Sequence, residues 1–301
     1  MIPIVMSHLT ILKKNEVYLQ IDSDPHVFYE LSDQFTFELP GAKFMPQYRK
    51  RYWDGKIRLF NVNNGQIYVG LLDKIQKFCK DHEYSYSFVD NEYYGTPFEV
   101  NEHISYEGVK DYITSISKYS PRDYQIEGVY DALRHNRKLL ISPTASGKSL
   151  MIYSIVRYYV ERGENTLIVV PTTSLVEQMY KDFADYGWDV GSFCHKIYAG
   201  KERETDSQVI ITTWQSIYKL PRKYFERFSV VVGDEAHQFK SKSLISIMTK
   251  LDHAKYRFGF TGTLDGTQTH KWVLEGLFGP SYKIIGTKDL MTKGHVAKLD
   301  I

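Results

Sequence analysis

Five continuous apolar runs punctuate the second half of this 301-residue chain: Lys138–Ser142, Thr166–Pro171, Gln208–Thr213, Ser229–Gly233 and Tyr256–Thr261. They are rich in Val, Ile and Phe and lack the alternation of a strand with one wet face, so each predicts a strand covered on both sides. Helical patterns lie between them, for example Lys148–Arg162 and Ser174–Tyr186. Strand and helix alternating in this way predict an α/β domain with a doubly wound parallel sheet. Such sheets bind ligands at the carboxyl ends of their strands, so the loops after the runs are where function is sought.

The first of those loops reads Ser142-Pro143-Thr144-Ala145-Ser146-Gly147-Lys148-Ser149 and leads straight into a helix. This is the phosphate-binding pattern G-x-x-x-x-G-K-[ST], with Ser142 in place of the first glycine. Backbone N–H groups of Thr144, Ala145, Ser146 and Gly147 at a helix N-terminus cradle phosphates, and Gly147 allows their close approach. Lys148 reaches the β- and γ-phosphates of ATP, and the Ser149 hydroxyl ligates Mg²⁺. The run Ser229–Gly233 ends in Asp234-Glu235-Ala236-His237. Asp234 at a strand end suits the metal, and Glu235 beside it suits a base for the attacking water. Between a strand and a helix the phosphate loop is a strong signal. The Asp-Glu pair alone reads equally as a solvated strand terminus, and paired with the loop it predicts a nucleotide site.

The first part of the chain has a different grammar of short strands and turns. Leu9–Lys13 and Val17–Ile21 predict a hairpin around Lys14-Asn15-Glu16, and Lys56–Asn61 with Gln66–Gly70 predict a second one around Asn64-Gly65. Asp24 stands at the N-cap of a helix over Pro25–Gln34, and Leu71–His82 is amphipathic, with Leu71, Leu72, Ile75, Phe78 and Cys79 on one face. The whole chain is near neutral, with 38 basic and 36 acidic residues, so only local charge is informative. Within this slightly acidic region, Tyr48 to Arg58 gathers Arg49, Lys50, Arg51, Lys56 and Arg58 around Tyr48, Tyr52 and Trp53, against one acid, Asp54. Cations beside stackable rings point to nucleic-acid contact, with a solvated face as the bland reading and Trp53 as a core residue.

Six segments in order complete a resemblance: Arg122-Asp123-Tyr124-Gln125, the phosphate loop, Pro171-Thr172-Thr173, Thr212-Thr213-Trp214-Gln215, Asp234-Glu235-Ala236-His237 and Thr261-Gly262-Thr263. The chain resembles the superfamily 2 helicases over residues 119 to 265. Thr-Gly-Thr in the last segment is similar to the branch-migration, restriction-motor and remodelling groups. The phosphate loop and Tyr52-Trp53-Asp54-Gly55-Lys56 resemble the phage UvsW-type branched-DNA helicases. That resemblance implies a RecA-like P-loop NTPase lobe over 118–301, preceded by a small α+β accessory domain over 1–117 that contacts DNA through Arg49, Lys50, Arg51, Trp53 and Lys56. It implies that Gln125 reads adenine with Arg122 and Tyr124 stacked nearby, although a core or capping role for Tyr124 is equally open. It also implies that Pro171, Thr172, Thr173, Thr213, Trp214 and Gln215 meet DNA phosphates, with helix capping as the plain alternative for the threonines. His237 with Thr261, Gly262 and Thr263 becomes the relay between nucleotide state and DNA grip.

The activity implied is ATP- and Mg²⁺-dependent helicase or translocase action on branched or single-strand-containing DNA in recombination and repair. The expected catalytic residues are Lys148, Asp234, Glu235 and His237. Members of the superfamily use two lobes, and the residues after Thr263 are too few for a second sheet, so weak activity of this chain by itself is expected. An RNA helicase, a restriction-type motor and a nucleotide-gated DNA-binding module are the competing readings. The two cysteines, Cys79 and Cys194, make neither a disulfide framework nor a four-ligand zinc site. They fit a reducing cytoplasm, the host's if the gene is a phage's. Without an apolar stretch of membrane-spanning length, a monomer with no membrane partner is expected.

Overall fold

The computed structural model describes residues 7–286, apart from 98, 144, 201, 203, 239–240, 263 and 265–267. The chain divides into two compact units, Met1–Phe98 with Gly266–Leu277, and Glu99–Asp265 with Phe278–Ile301.

In the first unit, β1 (His8–Lys13) and β2 (Tyr18–Asp22) make the first predicted hairpin, paired antiparallel with Ile11 opposite Ile21. Asn15 Oδ1 closes its turn by accepting the N–H groups of Val17 and Tyr18, both at 2.8 Å. The helix Pro25–Gln34 forms where expected and buries Val27 and Leu31. Proline suits its first turn because that N–H has no intrahelical partner to lose. β3 (Thr36–Glu38) pairs antiparallel with β4 (Lys56–Arg58), while β5 (Gln66–Tyr68) adds to β2 and β6 (Ser85–Val89) runs parallel to β1. The resulting sheet has the order β5-β2-β1-β6.

The second predicted hairpin is therefore not made. Asn61 and Gln66 still form an isolated bridge, with Gly65 N–H donating to Asn61 O at 2.8 Å. Before it, Leu59 and Phe60 turn into the core and Leu59 N–H donates to Phe35 O at 2.9 Å. A turn signal is local, whereas a strand's partner is set by which face must be buried. The helix Leu72–Asp81 meets its expectation, and all five residues of its apolar face are buried. Residues far along the chain return to this unit: the Trp272 ring lies 5.3 Å from that of Phe35 and 5.0 Å from that of Phe37.

The second unit is built on β7 (Arg137–Ile141), β8 (Thr166–Val170), β9 (Cys194–Ile197), β10 (Val209–Thr213), β11 (Val230–Gly233), β12 (Tyr256–Thr261) and β13 (Ser281–Lys283). All pair in parallel, in the order β13-β7-β12-β11-β8-β10-β9. The five predicted strands are present within a residue of their expected limits. β8, β10 and β11 are buried at every position, as the absence of alternation requires. β9 and β13 go beyond the five apolar runs; they are short and form the two edges of the sheet. Among the described residues no helix is long and apolar enough to cross a membrane.

The strand order positions the site. β12 lies between β7 and β11, with Gly259 opposite Leu139 on one side and Gly233 on the other. β12 continues two residues past that level, which carries Thr261 up between the phosphate loop after β7 and the acidic turn after β11.

Candidate functional site

The loop after β7 is held from beneath. Ser142, standing where the motif has glycine, donates its N–H to Thr261 O at 2.9 Å, and its hydroxyl lies 2.5 Å from that of Ser146. Both serines are fully buried. Ala145 and Gly147 have φ of +66° and +77°, so the chain turns sharply and Gly147 caps the helix Lys148–Val160. Thr144 lies outside the described residues.

Gln125 is the loop's anchor. Its Nε2 donates to Ser146 O at 2.9 Å, and its Oε1 accepts the N–H of Arg122 at 2.9 Å. The Tyr124 hydroxyl donates to the same Ser146 carbonyl at 2.9 Å and accepts from Arg122 Nη1 at 2.7 Å. Tyr124 and Gln125 are buried, whereas Arg122 is exposed. Both ends of the Gln125 amide are thus engaged with backbone, where the resemblance implies an adenine edge.

Lys148 begins its helix, and its Nζ lies 2.5 Å from Glu235 Oε1. Glu235 adopts φ of +49°, outside the regions favoured by a residue with a side chain, and this turn aims its carboxylate back at the loop. His237 Nδ1 lies 3.5 Å from the other Glu235 oxygen and 2.8 Å from the Thr261 hydroxyl. Lys148, Glu235, His237 and Thr261 therefore form one connected chain of contacts. Gly262 follows Thr261, and Thr263 is outside the described residues.

Asp234 is only 6% exposed and accepts the N–H of Glu235 at 2.9 Å. Burial raises its carboxyl from 3.8 to about 6, with Lys148 opposing the rise and Glu235 adding to it. An acid raised in this way stabilises the fold while protonated, fully below about pH 4, and that contribution is lost as pH climbs through about 6. Without divalent cations, Asp234→Asn is expected to exceed the parent in stability by about 3 kcal/mol near pH 8 and to match it near pH 4. Thermal unfolding across that range in a chelator checks this; equal stability at both ends would contradict it. The Asp234 carboxylate and the Ser149 hydroxyl are both hard oxygen donors of the kind Mg²⁺ takes.

Two further loops stand at the same ends of the sheet. Thr172 caps the helix Thr173–Asp185 by accepting Leu175 N–H at 3.3 Å, and both Thr172 and Thr173 are exposed. Thr213 is buried, its hydroxyl 2.9 Å from that of Ser216, while Trp214 packs 5.8 Å from the Tyr218 ring. Gln215 Nε2 donates to Pro171 O at 3.3 Å and so ties the two loops together. In the first unit, Lys43, Tyr48, Arg49, Arg51, Trp53 and Asp54 line an open groove of about 510 Å³. Arg49, Lys50, Arg51 and Lys56 are exposed, and the Trp53 indole is fixed by donating to Lys56 O at 2.8 Å.

One side chain at the site carries no signal in the sequence: the Tyr186 hydroxyl lies 2.7 Å from Ser149 Oγ. No motif spacing marks this pairing, because the helix Thr173–Asp185 delivers Tyr186 from elsewhere in the chain.

Residues 9–90 match the family described as DNA helicase UvsW, N-terminal, and residues 118–266 match the family described as Type III restriction enzyme, res subunit. The chain is 32% identical to the crystallised UvsW helicase from bacteriophage T4, with a TM-score of 0.81, covering 92% of this chain and 99% of that one. This chain belongs to the UvsW helicase family. It is 33% identical over 295 residues to the ATP-dependent DNA helicase uvsW of Enterobacteria phage T4, a match spanning 94% of this chain but 57% of that relative's length. It is also 30% identical over 188 residues to the DNA 3'-5' translocase XPB2 of Sulfurisphaera tokodaii, covering 61% and 40% of the two chains. The RecA-like α/β fold expected from the motifs and the small N-terminal α+β region are those of the UvsW family.

Proposed function

We propose that the chain carries the ATP-hydrolysing lobe and a DNA-binding accessory unit of a helicase or translocase acting on branched DNA, such as forks, D-loops and Holliday junctions, in recombination and repair. It works as a monomer in the cytoplasm. The observation that carries this reading is the series Lys148–Glu235–His237–Thr261, which joins a phosphate loop to an acidic turn and then to the strand end beside them.

In this reading the phosphate tail of ATP lies against the N–H groups before Lys148 and takes the ammonium away from Glu235. The carboxylate, released from its ion pair, orients the attacking water and receives its proton. Ser149 and Asp234 would hold Mg²⁺, which would supply positive charge to offset that of the phosphates. His237 feels the change at Glu235 and passes it to Thr261. Gln125, Tyr124 and Arg122 serve the site by keeping the loop in shape. The residues Pro171–Thr173 and Thr213–Gln215 meet DNA phosphates without reading sequence, and the basic, aromatic groove of the first unit supplies a separate DNA-binding surface.

DNA rather than RNA is favoured because the UvsW and XPB2 relatives are a DNA helicase and a DNA translocase. Neutralising Arg49, Lys50 and Arg51 together is expected to weaken binding to unrelated DNA sequences alike. It should also flatten the log–log salt dependence by about 0.7–0.9 for each phosphate no longer neutralised. An unchanged slope returns this segment to ordinary solvated surface, and ATP turnover stimulated by RNA but not by DNA overturns the choice of substrate.

A further inference from the structure

We infer that Tyr186 is a positioning residue for the Ser149 hydroxyl, setting how readily the site takes up its divalent cation. The inference rests on the proposed role of Ser149 as a metal ligand. Its basis is the 2.7 Å approach of the two hydroxyl oxygens and the way Tyr186 is held.

Tyr186 follows the helix Thr173–Asp185, donating its N–H to Asp182 O at 2.9 Å and accepting Lys118 N–H at 3.2 Å through its carbonyl. Its ring lies 5.1 Å from that of Tyr153, four residues beyond Ser149 and one turn along the same helix. On another side Tyr119 meets it edge-on at 5.8 Å and 85°. Backbone and two rings therefore fix the phenol, and the phenol in turn fixes the serine.

The chemistry requires such a partner. A serine hydroxyl has one proton and two lone pairs, and it rotates freely unless something accepts the proton. To ligate a cation it must present a lone pair and send its proton elsewhere. At 2.7 Å, Tyr186 Oη is placed to accept a hydrogen bond from the Ser149 hydroxyl, an arrangement that leaves the lone pairs of Ser149 for the metal. Groups that orient a ligand from behind typically change metal affinity about 10–100-fold when removed.

The test is equilibrium binding of a fluorescent, non-hydrolysable ATP analogue to the full chain, titrated with Mg²⁺. Tyr186→Phe keeps the ring and its packing while deleting only the hydroxyl. It is expected to raise the Mg²⁺ concentration for half-maximal binding on the order of tenfold, with metal-free binding unchanged. In a Ser149→Ala background the same substitution is expected to add less than about twofold, because the hydroxyl it orients is gone. Parent-like Mg²⁺ dependence in Tyr186→Phe overturns the inference, as does tighter Mg²⁺ uptake or an equal effect with and without Ser149. If the parent binds the analogue without any Mg²⁺ dependence, or Lys148→Ala binds it as the parent does, the nucleotide reading itself falls and takes the inference with it.

Discussion

Glu235→Gln is expected to bind ATP at least as tightly as the parent and to turn it over about 10²–10⁴-fold more slowly. The two effects have separate causes. Slow turnover follows from loss of the base, since an amide cannot take the proton of the attacking water. Undiminished affinity follows from the 2.5 Å pair between Lys148 and Glu235, which competes with the nucleotide for the ammonium. Replacing the carboxylate removes the competitor while leaving Lys148, the loop and Asp234 in place. Single-turnover hydrolysis measured alongside equilibrium binding separates the two. Turnover within a factor of a few of the parent would show that Glu235 is not the base, and a loss of affinity would show that its pair with Lys148 does not compete with the nucleotide.

Gly147→Ala is expected to destabilise the chain by about 2–4 kcal/mol and to disrupt the phosphate loop. At φ of +77° a side chain costs about 1–2 kcal/mol, and a Cβ built here would sit 2.3 Å from Gln125 Nε2. That atom is the buried end of an amide already committed to Ser146 O, so it has no open space to move into without breaking a hydrogen bond. The clash makes the two positions interdependent. Gly147→Ala combined with Gln125→Ala is expected to be about 1–2 kcal/mol more stable than the sum of the single losses, because shortening the amide opens the space that the new methyl needs. Urea unfolding of the four chains gives the coupling, and strict additivity would mean that Gln125 does not brace the loop.

The fold of the second unit is legible in the sequence because its signals are local. An uninterrupted run such as Thr166–Val170 can be stable only with both faces covered, and a helix following Gly147-Lys148-Ser149 places the loop at a strand's carboxyl end. The edge strands Cys194–Ile197 and Ser281–Lys283 lack that length and patterning. The second hairpin is absent for a related reason. Asn64-Gly65 correctly marks a tight turn, but the burial of Leu59 and Phe60 sends the flanking strands to different partners.

By itself the sequence marked Lys148, Ser149, Asp234, Glu235 and His237 as candidate site residues, from their place at the ends of apolar runs. It also placed these groups at the carboxyl ends of the strands of a parallel sheet. Only the tertiary structure decided how they are joined. Inserting β12 between β7 and β11 brings Thr261 to the backbone of Ser142 and to His237, and the strand order of a sheet is not written in any one strand. The turn at Glu235, the bracing of the loop by Gln125 and the hold of Tyr186 on Ser149 likewise join residues far apart in the chain. Their partners are chosen by packing, which depends on all of the faces that must be buried at once.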